Sequence, residues 1–171
     1  PPPSTLPPPP RSTQAESSAA SDVYKRQIVS LADEKIGAEY SILKSLTNII
    51  WAPIRKGLEN ISLSANWMWP ANNSGENARL YEAVKSVSDF AISLGVNIPT
   101  GKDSLSMTQK YPDGTKVLSP GTVIISAAAE TSDIRKVIKP AAIKDFDSEF
   151  VFINFCEGTN LTGSSFYQTL S

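Results

Sequence analysis

Leu80-Tyr81-Glu82-Ala83-Val84-Lys85-Ser86-Val87-Ser88-Asp89-Phe90-Ala91-Ile92-Ser93-Leu94-Gly95 and, one residue further on, Asn97-Ile98-Pro99-Thr100-Gly101-Lys102-Asp103-Ser104-Leu105-Ser106-Met107 are the stretches from which the rest of the chain is read. In the first, Leu80, Ala83, Val84, Val87, Phe90, Ala91 and Leu94 recur at helical spacing. Glu82, Lys85 and Asp89 fall on the other side, and Gly95 supplies a C-terminal stop. The second is expected to be a tight loop. Gly101 allows a turn where a side chain would clash, Lys102 can neutralise phosphate oxygens, Asp103 can hold a hard cation, and Ser104 can donate or coordinate.

A phosphate-binding P-loop needs four residues between its glycines, then Lys, then Ser or Thr opening a helix. Here five residues separate Gly95 from Gly101, and Asp103 stands where the hydroxyl belongs. Leu105 to Tyr111 alternates like a strand rather than continuing as a helix. On the residues alone, a turn with a solvated Lys102 and Asp103 competes with an anion site.

Outward from this centre the pattern is α+β. Ile42, Leu43, Leu46, Ile49 and Ile50 predict a helix over 38–52, closed by Pro53, which has no amide hydrogen. Ile61 to Trp69 alternates apolar with polar, a strand pattern, and Pro70 to Gly75 reads as a loop. A hairpin is expected from Leu105 to Leu118 around Pro112-Asp113-Gly114. Thr122 to Ala129 reads as a buried strand, and Ser132 can cap a short helix through Val137. Trp67 and Trp69 invite base stacking, but tryptophans on an alternating strand more often fill a core. Asn66 beside them can orient a ligand or bond neighbouring backbone.

At 171 residues, 40% hydrophobic and 19% charged, the chain can build a core. Its 16 basic and 17 acidic residues nearly cancel, which gives no electrostatic reason to expect nucleic acid or an acidic membrane as partner. There is no histidine and one cysteine, so the usual zinc and iron ligand sets and an internal disulfide are excluded. Cys156 ends the apolar run Phe150 to Phe155 and reads as a buried structural thiol, which fits a cytoplasmic setting. Seven prolines among the first ten residues, then Ser, Ala and Thr, predict disorder over 1–27. Ser21 to Gln27 resembles translated sequencing-adapter read-through, so this segment is expected to be artefactual; a polyproline linker is the competing reading.

Four motifs in register add a family. Leu46-Thr47-Asn48-Ile49, Leu63-Ser64-Ala65-Asn66-Trp67-Met68-Trp69-Pro70, Gly75-Glu76-Asn77-Ala78-Arg79-Leu80-Tyr81-Glu82-Ala83-Val84 and Gly101-Lys102-Asp103-Ser104-Leu105-Ser106-Met107 resemble phosphoribosylformylglycinamidine synthase. The resemblance runs from about Ser41 to Ser171 and implies a fragment of the second half of that enzyme's synthetase. The implied architecture is a partial AIR-synthetase-like (PurM-like) N-type subdomain over 28–140, with a mixed or antiparallel sheet and flanking helices. A linker over 141–148 and the truncated start of a C-type subdomain over 149–171 would follow.

The resemblance also implies ligands. Gly101, Lys102, Asp103 and Ser104, with Gly163 and Ser164 of a second Gly-rich loop in which Thr162 replaces a glycine, would bind nucleotide phosphate. Asn48 would hold magnesium with a carboxylate one helical turn earlier, but that position is Lys44, and an ammonium cannot ligate a cation. Either the Lys44 charge substitutes for the metal or the foreign sequence extends inward to it. ATP or ADP and Mg2+ are the implied cofactors. Formylglycinamide ribonucleotide, the missing synthetase half and a glutaminase domain are the implied partners. The parent activity would be the ATP-dependent ligase step that converts that ribonucleotide and glutamine to formylglycinamidine ribonucleotide. A non-catalytic nucleotide-holding half, or an inactive truncated product, is the alternative, and a thiamine-phosphate or selenophosphate kinase relative is disfavoured by the Trp67 to Trp69 and Gly101 to Met107 motifs.

Overall fold

The computed structural model describes residues 29–139. The chain divides into two units, Pro1–Ile138 and Lys139–Ser171, and every element below lies in the first. The expectations for 1–27, 141–148 and 149–171, with Cys156, Gly163 and Ser164, lie outside the described residues.

Helix α1 spans Glu34–Ile49 and helix α2 spans Glu76–Leu94. Strands β1 (Ile61–Met68), β2 (Asn97–Ser104) and β5 (Thr122–Ala129) form one sheet in the order β2-β1-β5. Strands β3 (Thr108–Lys110) and β4 (Lys116–Leu118) form a separate hairpin. The main sheet is mixed: β1 runs parallel to β2 across the intervening α2, and antiparallel to β5. The α+β class with a mixed sheet and flanking helices is therefore what the chain adopts.

Helix α1 begins four residues before the predicted start, because Asp33 caps it: its carboxylate accepts from the amides of Lys35 and Ile36, each at 2.9 Å. Helix α2 stops where expected, at Gly95 in the left-handed region with φ 68°. Each helix buries small residues, Ala38, Ser41 and Ser45 on α1 and Ala83 and Ser86 on α2. The Ser41 hydroxyl donates to the Gly37 carbonyl and Ser45 to that of Ile42, so both can be buried without an orphaned polar atom.

The contacts Glu34 to Arg79, Lys35 to Glu82 and Glu39 to Ser86 progress in the same direction along both helices, which therefore lie side by side and parallel. Arg79 closes the N-terminal end of the pair, bonding Glu34 and Glu76 at 3.1 Å and the Ser30 carbonyl at 3.0 Å. Its partial burial works against the charge, yet the two carboxylates outweigh it and hold the guanidinium pKa above its ordinary value.

The core forms between the helices and one face of the sheet. Ile42 and Leu46 of α1 and Ala83, Val87 and Ala91 of α2 meet Ile61, Leu63 and Ala65 of β1 and Val123 and Ile125 of β5. Trp69 is buried against the same cluster and Trp67 packs on it half-buried, so the core reading of the tryptophans holds over the stacking one.

Other elements depart from expectation. The hairpin is present but its strands are three residues each; just beyond them the Met107 amide donates to the Trp69 carbonyl while its own carbonyl accepts from Ser119. The short helix after β5 is a 3-10 turn, Ile134–Lys136, capped by Asp133 rather than Ser132. Val84, expected in the buried stripe, is 42% exposed. No helix among the described residues is long and apolar enough to cross a membrane.

Candidate phosphate-binding face

The Gly101 to Ser104 run is not a loop. It is the second half of β2, paired in register with β1 as Ala65 with Gly101, Asn66 with Lys102, Trp67 with Asp103 and Met68 with Ser104. Gly101 has a negative φ, so it makes no turn. What requires glycine is closeness: a Cβ built there would lie 2.2 Å from the Ala65 carbonyl oxygen. The sequence reading mistook this close approach of two strands for a bend, because Pro99 and Gly101 interrupt the alternation by which a strand is recognised. A bulge in the β1–β2 register between Ser62 and Ser64 adds to the irregularity.

A strand sends successive side chains to opposite faces. Lys102 shares a face with Asn66, Ser64 and Ser104, and Asp103 shares the other with Trp67 and the core. The structure thus separates the two charges that sequence reading placed in one grip. On the face away from the helices, β1 contributes Ser62, Ser64, Asn66 and Met68, β2 contributes Thr100, Lys102 and Ser104, and β5 contributes Thr122, Ile124, Ser126 and Ala128, with Ile124 opposite Asn66 and Met68 opposite Ser104. Among the described residues the side chains of Asn66, Lys102 and Ser104 make no hydrogen bond or ion pair, and Lys102 and Ser104 are exposed. An ammonium with an amide beside it and hydroxyls two residues away on the same face is a donor-rich, net-positive surface suited to phosphate oxygens.

Asn66 is the residue that the sequence reading left unassigned. Its signal was the alternation Ser62, Ser64, Asn66, a polar series that predicts a polar strand face; only the β1–β2 register puts Lys102 next to it. Asn48 lies elsewhere, exposed in the last turn of α1 on the helix layer, one turn after Lys44. No cluster of three or more His, Cys, Asp or Glu stands among the described residues. The residue one helical turn before Asn48 is Lys44, where the resemblance calls for a carboxylate.

A family model, the FGAR-AT PurM_N-like domain, matches residues 11–130 of the chain. The match begins within the proline-rich opening segment, takes in both helices and the whole mixed sheet, and ends one residue past β5. By its sheet, its helix pair and this match over most of its length, the chain belongs to the FGAR-AT PurM_N-like domain family, the family of a purine-biosynthesis enzyme.

Proposed function

We propose that the chain is a piece of phosphoribosylformylglycinamidine synthase, from the second half of its ATP-dependent synthetase, and that its bare sheet face supplies phosphate contacts for an adenine nucleotide. The observation that carries this reading is Lys102 standing beside Asn66 on a face where neither has a partner among the described residues. Phosphoryl transfer relies on positioned cations and donors around the oxygens. Lys102 would offset phosphate charge, with the Asn66 amide and the Ser104 hydroxyl donating beside it. Gly101 keeps β2 close enough to β1 for those side chains to stand together.

The face presents donors but no carboxylate, and the chain has no histidine. A general base for the ligase step would come from outside it, which favours a nucleotide-holding role for this piece over catalysis.

Titration of the isotope-labelled chain with ADP, followed by nuclear magnetic resonance, tests the reading. Resonances of Asn66, Lys102 and Ser104 are expected to move together, and Lys102→Gln to weaken binding by about tenfold, the scale of one charge-assisted hydrogen bond. Shifts confined to other residues, or an unchanged affinity in the variant, would remove this face from the nucleotide site.

A further inference from the structure

Across the bare face the register sets side chains in rows, one from each strand. Ser64 pairs with both Thr100 and Ser126, Asn66 with both Lys102 and Ile124, and Met68 with both Ser104 and Thr122. The middle row therefore runs ammonium, amide, aliphatic. Ile124 and Met68 stand half-buried on this face, and neither belongs to the core nor packs against it. They are diagonal neighbours on adjacent strands, a spacing of about 7–8 Å that long side chains bridge. Ser64 and Ser126 border the pair on one side, and on the other Thr122 is fully buried, so the face is covered at that end. What remains is an apolar spot the size of one ring system, set beside a cation on an otherwise polar surface.

We propose that this face takes a purine nucleoside diphosphate with its base flat on Ile124 and Met68, its inner phosphate at Asn66 and its outer phosphate at Lys102, and that it accepts adenine and guanine alike. The inference rests on the phosphate reading above and adds the placement and the choice of the base. Length selects the diphosphate. Neighbouring strands stand about 4.8 Å apart, so Lys102 and Ile124, two strands from each other, are separated by roughly 10 Å. That is the order of the distance from outer phosphate to base in an extended nucleoside diphosphate. Shape selects the purine, because a bicyclic ring covers both members of the diagonal pair and a single ring covers one. A thioether and a branched aliphatic chain pack on an aromatic face without reading its edge. Telling one purine from the other takes a donor and an acceptor held together at the ring edge, as an Asn or Gln amide supplies. The amide of this face, Asn66, stands under the phosphates instead, and the serine hydroxyls beside the spot rotate to donate or accept, which suits either purine.

The full chain, labelled at backbone amides and at isoleucine and methionine methyls, is titrated with ADP, GDP, CDP and inorganic pyrophosphate and followed by nuclear magnetic resonance. ADP and GDP are expected to move the Ile124 and Met68 methyls upfield, as a ring current above them requires, together with the amides of Lys102 and Ser104. Their affinities should agree within about twofold, and CDP should bind about threefold more weakly. Pyrophosphate should move the Lys102 and Ser104 amides and leave both methyls in place. Ile124→Ala should weaken ADP binding by about fivefold and leave that of pyrophosphate unchanged, which also reports that the variant is folded. Pyrophosphate bound at Lys102 with the methyls unmoved by ADP, or a preference of about tenfold for one purine, would overturn this inference and leave the phosphate reading standing. Lys102 unresponsive to both ADP and pyrophosphate would remove the phosphate reading and this inference with it. Methyl shifts that grow with protein concentration in the absence of nucleotide would also overturn it, the apolar spot then being covered by a second copy of the chain.

Discussion

Gly101 sets the distance between two strands. Its missing side chain lets β2 approach the Ala65 carbonyl more closely than any Cβ allows, and that approach holds Lys102 against Asn66. Gly101→Ala is expected to destabilise the chain by about 1–3 kcal/mol, the range for forcing atoms into a filled space, because the obstacle is backbone rather than a flexible side-chain end. Urea denaturation of both forms measures it; equal midpoints would mean that the strands can part at no cost. At the same scale Lys102 and Asp103, neighbours in sequence, are separated by the pleat. Their types were legible, but their placement on opposite faces was not, since that depends on whether the backbone is bent or extended there.

Among the elements, α1 shows how a local signal can be passed over. Its apolar spacing gave its existence, but its start is fixed by Asp33, whose carboxylate satisfies two otherwise unpaired amides of the first turn. Asp33→Ala is expected to cost about 1 kcal/mol, read as a lower thermal midpoint, while Asp33→Asn should recover most of it. A full loss in both variants would point to the carboxylate charge rather than the cap. Helix α2, by contrast, was readable almost to its last residue, because stripe and glycine stop agree. Strand β2 was missed for the opposite reason. It lies at an edge with every position but Ile98 exposed, so no burial wrote an alternation into its sequence. β5, buried on the core face, was read with its observed ends.

For the whole molecule, β1 is the central member, hydrogen-bonded to β2 on one side and β5 on the other and covered by both helices. Its amides should exchange slowest with solvent, at rates set by global unfolding, and those of the three-residue strands β3 and β4 fastest. Hydrogen exchange followed residue by residue checks this, and a hairpin protected as well as β1 would contradict the layered core described here. The sequence by itself determined the two helices, the strands at Ile61 and Thr122, much of the core though not the exposed Leu43, Ile50 and Val84, and the family motifs, because periodicity and caps are local and burial writes them into the chain. Only the tertiary structure decided that the Gly-Lys-Asp-Ser run is an edge strand, that Lys102 stands beside Asn66, and that Asp103 lies on the opposite face of the sheet. Those facts follow from strand register and sheet order, which join residues some 35 positions apart and leave no periodic trace in the sequence between them.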